Sequence, residues 1–114
     1  MEVRNLLFVS IFLLLISCEE NNNFYFDSLN GNDQNPGTIN LPFKSIEKIK
    51  DVKLKSNSNI YLSNGSFFKG SINLLNKKNI LITNYNTENF SKKPIIDAKG
   101  YLAGILVENS SNIN

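Results

Sequence analysis

Chemistry in this chain must be done without histidine and with a single cysteine, Cys18. No intramolecular disulfide and no cysteine metal cluster is possible. The missing imidazole also removes Ser-His-Asp and Cys-His nucleophilic catalysis, the usual zinc sites and the commonest general base. Carboxylates, lysines, tyrosines and a bound calcium ion are what remain. Two acids, Asp27 and Asp33, lie in one stretch punctuated by Gly, Pro and Asn, "DSLNGNDQNPGTINLPFKSIEKI" at 27–49. Asp33, Asn35 and Gly37 echo the start of an acidic, Gly-containing calcium loop, but an EF-hand beginning at Asp33 needs a bidentate glutamate at its twelfth position, where Lys44 stands. Two readings are left: a looser calcium site of Asp27, Asp33 and backbone carbonyls, or a turn held by Asn and Asp side chains. Farther along, Asp97, Lys99 and Glu108 are the candidate catalytic residues. Asp97 in "PIIDAKG" reads as a corner residue after a strand, Lys99 as a turn residue and Glu108 as a strand end, and they make no defensible acid/base pair. Tyr25, Tyr61, Tyr85 and Tyr101 are able to stack on sugar rings, yet they share no common spacing and read as core and edge packing.

These residues depend on the elements that carry them. A chain of 114 residues is a soft prior for one domain. Its net charge of +2 lacks the basic surplus that would argue for nucleic acid. Twenty asparagines suit tight corners, because Asn tolerates left-handed backbone and bonds its own neighbouring amides; base composition of the gene is an equal explanation. The run "LLFVSIFLLLIS" is twelve residues long, well under the roughly 18–20 of a spanning helix, and reads as the apolar region of a signal peptide over 1–17. Arg4 precedes it, partly offset by Glu2. The ending Leu15-Ile16-Ser17-Cys18 resembles the lipobox of bacterial lipoproteins, which implies that Cys18 is lipidated and anchors the mature chain to a membrane; an ordinary secretory signal is the other reading. Acidic residues behind that cysteine resemble the surface-export signals of Bacteroidetes lipoproteins, and residues 18–23 read as a polar tether.

From residue 24 the pattern becomes that of short β elements. "FYF" at 24–26 is a strand candidate, followed by two turn signals and then Pro42, which sets up a helix start. Phe43, Ile46, Ile49 and Val52 fall three apart between charged residues, which predicts a short amphipathic α-helix of two or three turns. Five apolar runs follow, at 59–62, 71–75, 79–83, 94–97 and 104–108. Asn76-Lys-Lys-Asn79-Ile80 and Asn109-Ser-Ser-Asn112-Ile113 repeat the form N-x-x-N-I, and Ile60 to Ile80 to Ile105 gives spacings of twenty and twenty-five residues. Both suggest coils of a solenoid. By periodicity alone a small sandwich fits almost as well.

The stretch "FYFDSLNGNDQNPGTINLPFKSIEKI" resembles the amino-terminal signature of secreted right-handed parallel β-helix proteins of the pectate lyase-like superfamily, and "YLSNGSFFKGSINLLNKKNILITNYN", "PIIDAKG" and "GILVENSSNIN" resemble their first coils. Gly65-Ser66-Phe67 departs from the family's more frequent Gly-x-Tyr. The resemblance implies an all-β fold, the start of a right-handed parallel β-helix occupying 24–114, in which Gly31, Asp33, Pro36, Gly37, Thr38, Pro42 and Phe43 build a loop leading into a capping α-helix. Phe43, Ile46 and Ile49 are then expected over the end of the stack, and Ile80, Ile82, Ile95, Ile105 and Val107 inside it. Family members act on polysaccharides as lyases, hydrolases and epimerases, and calcium serves the lyases several coils along. The closing "NSSNIN" is the corner and first strand residue of a coil, so the chain is expected to be an amino-terminal fragment or a truncated frame without a complete active site. No cofactor is evident in it. Export, a lipid anchor at the outer membrane or cell surface, and a polysaccharide partner are the expectations; a noncatalytic glycan-binding or adhesin-type β-helix is the alternative.

Overall fold

A computed structural model of the chain describes residues 21–87 and 90–114. The expected signal segment, Cys18 and the start of the tether lie outside the described residues. The chain is all-β and solenoid-like. Its strands are β1 (Asn23–Phe26), β2 (Asn59–Ser63), β3 (Phe67–Lys69), β4 (Ile72–Leu75), β5 (Lys78–Tyr85), β6 (Ile95–Asp97), β7 (Ile105–Glu108) and β8 (Ser111–Ile113). They form three parallel sheets, ordered β1-β2-β5-β8, β3-β6 and β4-β7, which the chain visits in turn from β2 onward.

Side-chain alternation in each short strand sends one set inward. Phe26, Ile60, Phe68, Ile72, Leu74 and Ile80 are almost wholly buried and belong to one continuous core, each contributing about 1.5–3 kcal/mol by leaving water. Register decides which residues join them. Ile60 lies beside Ile82, Ile80 beside Ile113, and Ile72 beside Ile105, so the spacing from Ile60 to Ile80 to Ile105 does not mark equivalent positions. Ile105 and Val107 share the inward face of Ile72 and Leu74 but are each 43% exposed, because no strand pairs with the far edge of β7 among the described residues. Ile95 corrects the expectation: it pairs with Phe67 on the outer face and is 54% exposed, whereas its neighbour Ile96 pairs with buried Phe68 and packs on the core. A strand alternates with period two, so a one-residue error in parity reverses the face.

The corners explain the asparagines. Asn57, Asn76, Asn79, Asn109 and Asn112 all have positive φ, the left-handed region that Asn enters more readily than other side-chain-bearing residues. Their amides stack from one winding to the next. Asn112 Nδ2 donates to Asn79 Oδ1 at 2.6 Å, Asn79 Nδ2 donates to Asn57 Oδ1 at 2.8 Å, and Asn109 Nδ2 donates to Asn76 Oδ1. The N-x-x-N-I repeat is therefore a pair of asparagine ladders flanking one corner.

At the other end the edge of β1 is closed by the 27–45 loop. Tyr25 N donates to Gly37 O at 2.9 Å, Phe43 N to Tyr25 O at 2.9 Å and Asp27 N to Phe43 O at 2.8 Å, which satisfies the strand's outer backbone groups. Gly31 is required here, because a Cβ would sit 2.3 Å from Phe43 O; at Gly37, with φ +82°, it would sit 2.2 Å from Phe43 Cε2. Asp33 Oδ1 accepts from Lys44 N and Ser45 N at 3.0 and 2.9 Å, and Asn35 Nδ2 donates to Pro42 O. Thr38 Oγ1 accepts from Leu41 N, and Pro36 stands between Asn35 and Gly37 in the same turn. The expected α-helix is not formed. Ile46–Lys50 is instead a five-residue 3-10 helix that buries Ile46 and Ile49. The physical reason is legible in retrospect: apolar residues exactly three apart match a period of 3.0 residues, not 3.6.

Candidate functional site

The groups best placed for chemistry lie on the outer face of the first sheet, near the carboxyl ends of its strands. Tyr25 and Tyr61 are register partners and stack at 4.6 Å between ring centroids with planes 12° apart. Tyr85 meets both edge-on, at 5.2 and 6.5 Å, so the trio combines the stacked and T-shaped geometries that aromatic quadrupoles favour. Asp27, Ser63 and Tyr85 follow one another across three layers, since Ser63 pairs with Tyr85 and Asp27 lies one position past the Phe26–Leu62 pair. Burial pushes the Tyr85 hydroxyl up to about 12, the nearby Asp27 charge adds to it and the Ser63 hydroxyl opposes it. The Tyr85 oxygen is buried without a hydrogen bond of good geometry, while Ser63 Oγ faces Thr87 Oγ1 at 3.3 Å. A phenol in that state is a neutral packing group, not a proton donor for neutral-pH catalysis.

Asp27 is the exceptional member. It is only 3% exposed. Its Oδ1 accepts from Leu29 N at 2.9 Å and Asn30 N at 3.0 Å, fixing the turn that starts the loop. Beside it lies a cleft of about 400 Å³ lined by Asp27, Asn30, Ile39, Asn40, Pro42 and Thr87. Asp33 belongs elsewhere, to a second cleft of about 310 Å³ along the 3-10 helix with Glu47, Lys48, Lys50 and Asp51. Partial burial pushes the Asp33 carboxyl up, but hydrogen bonds from the Ser45 and Lys44 amides and the Ser45 side chain, with the Lys48 charge, outweigh it and hold the group below the usual carboxylate range. Asp27 and Asp33 thus serve separate turns, and no group of three or more Cys, Asp or Glu side chains suited to a metal occurs among the described residues.

The remaining candidates are scattered. Asp97 Oδ1 accepts from Lys99 N at 3.1 Å, as a corner residue does; Lys99 is exposed, and Glu108 is exposed at the open edge of β7. Tyr101 lies apart from the other tyrosines and donates its hydroxyl to Glu47 Oε1 at 2.9 Å. That hydrogen bond, then the Lys50 partner at 3.2 Å, draws the Glu47 carboxyl below its ordinary value, and the same bond raises Tyr101. Sequence spacing missed the tyrosine cluster because the windings differ in length. The usable signal was the repeated apolar-Tyr-apolar tripeptide, Phe24-Tyr25-Phe26 and Ile60-Tyr61-Leu62, which puts each tyrosine on the outer face.

No protein-family model and no curated protein matches the chain. Among solved structures it is similar to the native GH136 lacto-N-biosidase from Eubacterium ramulus, with a TM-score of 0.50 and 28% identity over 57% of this chain. The chain spans 11% of that protein's length. The likeness is to a carbohydrate-active β-fold.

Proposed function

We propose that this chain is the closing, amino-terminal segment of a right-handed parallel β-helix protein of the carbohydrate-active, pectate lyase-like kind, anchored at the cell surface through lipidated Cys18. The observation that carries the reading is the closure of the first strand. The outer edge of β1 is covered by the 37–43 segment, while β3 and β4 have no strand on that side among the described residues and Ser28 Oγ accepts from Phe67 N there. Sealing the first edge removes a template for unwanted strand pairing and starts the winding. Ile46 and Ile49 of the 3-10 helix are buried, and on this reading they cover the end of the core in place of an α-helix. The similarity to a lacto-N-biosidase supports a carbohydrate partner. A complete active site is absent from the proposal, because Asp27 and Asp33 serve separate turns of one loop while Asp97 and Glu108 end two different strands, with no paired base among the described residues. The noncatalytic glycan-binding alternative is favoured by one feature, the Asp27 cleft.

Two measurements test this. The full chain is offered to neutral and uronic acid glycans while bound glycan, new reducing ends and unsaturated products are recorded. Binding without cleavage is expected; cleavage by this chain alone overturns the incomplete-site claim, and no binding at all overturns the carbohydrate reading. Radiolabelled fatty acid should enter the wild-type chain in a bacterial host and not the Cys18→Ala variant; equal labelling of the two would remove the anchor from the proposal.

A further inference from the structure

The Asp27 carboxylate is buried, yet half of it is unused. Oδ1 holds the two amide hydrogens of the turn, while Oδ2 accepts no hydrogen bond from the described residues and is not among the sealed, partnerless buried atoms. With the residue only 3% exposed, that oxygen's access is through the cleft that Asp27 lines. A nearly buried carboxylate oxygen without a donor is expensive to keep, and the cost is recovered when a ligand supplies one. We infer that this cleft binds a neutral saccharide unit, with Asp27 Oδ2 accepting hydrogen bonds from its hydroxyls. The inference rests on the carbohydrate reading above and names a site for it.

The lining fits that ligand better than the other candidates. Asn40 brings an amide and Thr87, whose Oγ1 lies 3.3 Å from Ser63 Oγ, a hydroxyl; both groups donate and accept, matching hydroxyls that do the same. Ile39 and Pro42 supply an apolar wall for the C–H face of a pyranose. The volume, about 400 Å³, falls in the range of roughly 300–1,000 Å³ typical of small-ligand clefts. A calcium ion calls for six to eight oxygen ligands, and the lining offers one carboxylate, since Asp33 lies in the other cleft. A uronate would set its own carboxylate against Asp27, which disfavours charged sugars. The binding surface is thus neutral-selective, and it lies at the sealed end of the stack, beside the tyrosine cluster.

The test is a two-dimensional amide NMR titration of the full chain with N-acetylglucosamine, galactose, galacturonate and calcium chloride in separate arms. Asp27→Asn is the informative variant, because its Oδ1 still accepts from Leu29 N and Asn30 N while the free oxygen becomes an amide donor. Asn40→Ala, at an exposed position, is the second variant, and an unchanged amide spectrum in the absence of sugar is expected of it. The expected result is shifts at residues 27–30, 39–42 and 87 with a neutral sugar, weakened about tenfold or more by Asp27→Asn and several-fold by Asn40→Ala, with galacturonate weaker than the neutral sugars. Sugar shifts that map elsewhere, or that persist unchanged in both variants, overturn the site while leaving the carbohydrate reading intact. Absence of binding to any sugar overturns both. Shifts at Asp27 with calcium chloride alone overturn the saccharide assignment.

Discussion

Substitution along the asparagine ladder separates backbone strain from side-chain pairing. Asn57, Asn79 and Asn112 stand in one column; Asn79 is bonded on both sides, at 2.8 and 2.6 Å, and Asn57 only on one. Both Asn57 and Asn79 have positive φ, 66° and 57°. Alanine at either position pays the left-handed penalty of roughly 1–2 kcal/mol, so the strain cancels in a comparison. Each lost ladder bond then adds about 0.5–1.5 kcal/mol. Asn57→Ala is expected to destabilise by about 2 kcal/mol and Asn79→Ala by about 3 kcal/mol. Asn79→Gly should recover part of the strain but none of the pairing. Urea unfolding of the full chain, followed by far-ultraviolet circular dichroism, measures all three. Equal losses for Asn57→Ala and Asn79→Ala would show that the second ladder bond, from Asn112 to Asn79, contributes nothing, and would refute the additive reading of the ladder.

The sealed end yields three further expectations. Gly31→Ala forces a Cβ to 2.3 Å from Phe43 O, so the 27–45 loop must shift and stability should fall by about 2–4 kcal/mol; a urea midpoint unchanged from wild type would contradict the close approach. Replacing both Ile46 and Ile49, which are buried against the core, by aspartate should raise binding of a hydrophobic dye and lower solubility, and normal solubility with no dye binding would mean that the 3-10 helix does not cover the core. For Asp33, whose folded pKa is depressed, the charge contributes stability above the unfolded pKa and loses it as pH falls through the folded value. Wild type should therefore exceed Asp33→Asn in stability at neutral pH and match it once both Asp33 states are protonated in strong acid; a difference that persists there would assign the effect to shape and not charge.

Much of the architecture was legible before any coordinates, and for identifiable reasons. The N-x-x-N-I repeat announced stacked corners because left-handed, ladder-forming positions tolerate few residue types. Gly31 and Gly37 stood out as turn residues of the loop motif, and the structure adds that Phe43 leaves no room for a Cβ at either. The strands Phe67–Lys69 and Ser111–Ile113 were missed because three residues carry too little alternation to separate them from their corners. The helix type was misjudged although its spacing of three was visible.

What the sequence determined by itself is therefore local and chemical. It excludes histidine and disulfide chemistry, places turns at Gly, Pro and Asn, and confines apolar residues to brief runs. Tertiary structure decided everything that depends on pairing register. Ile96 and not Ile95 faces the core, Ile60 stacks on Ile82 and not on Ile80, three tyrosines of unrelated spacing meet, and Asp27 keeps one oxygen without a donor among the described residues, beside a cleft, while Asp33 serves a different turn. The physical reason is that the windings have unequal lengths, so the residue lying above another is set by the corners between them, and strand alternation then turns a shift of one residue into a change of face.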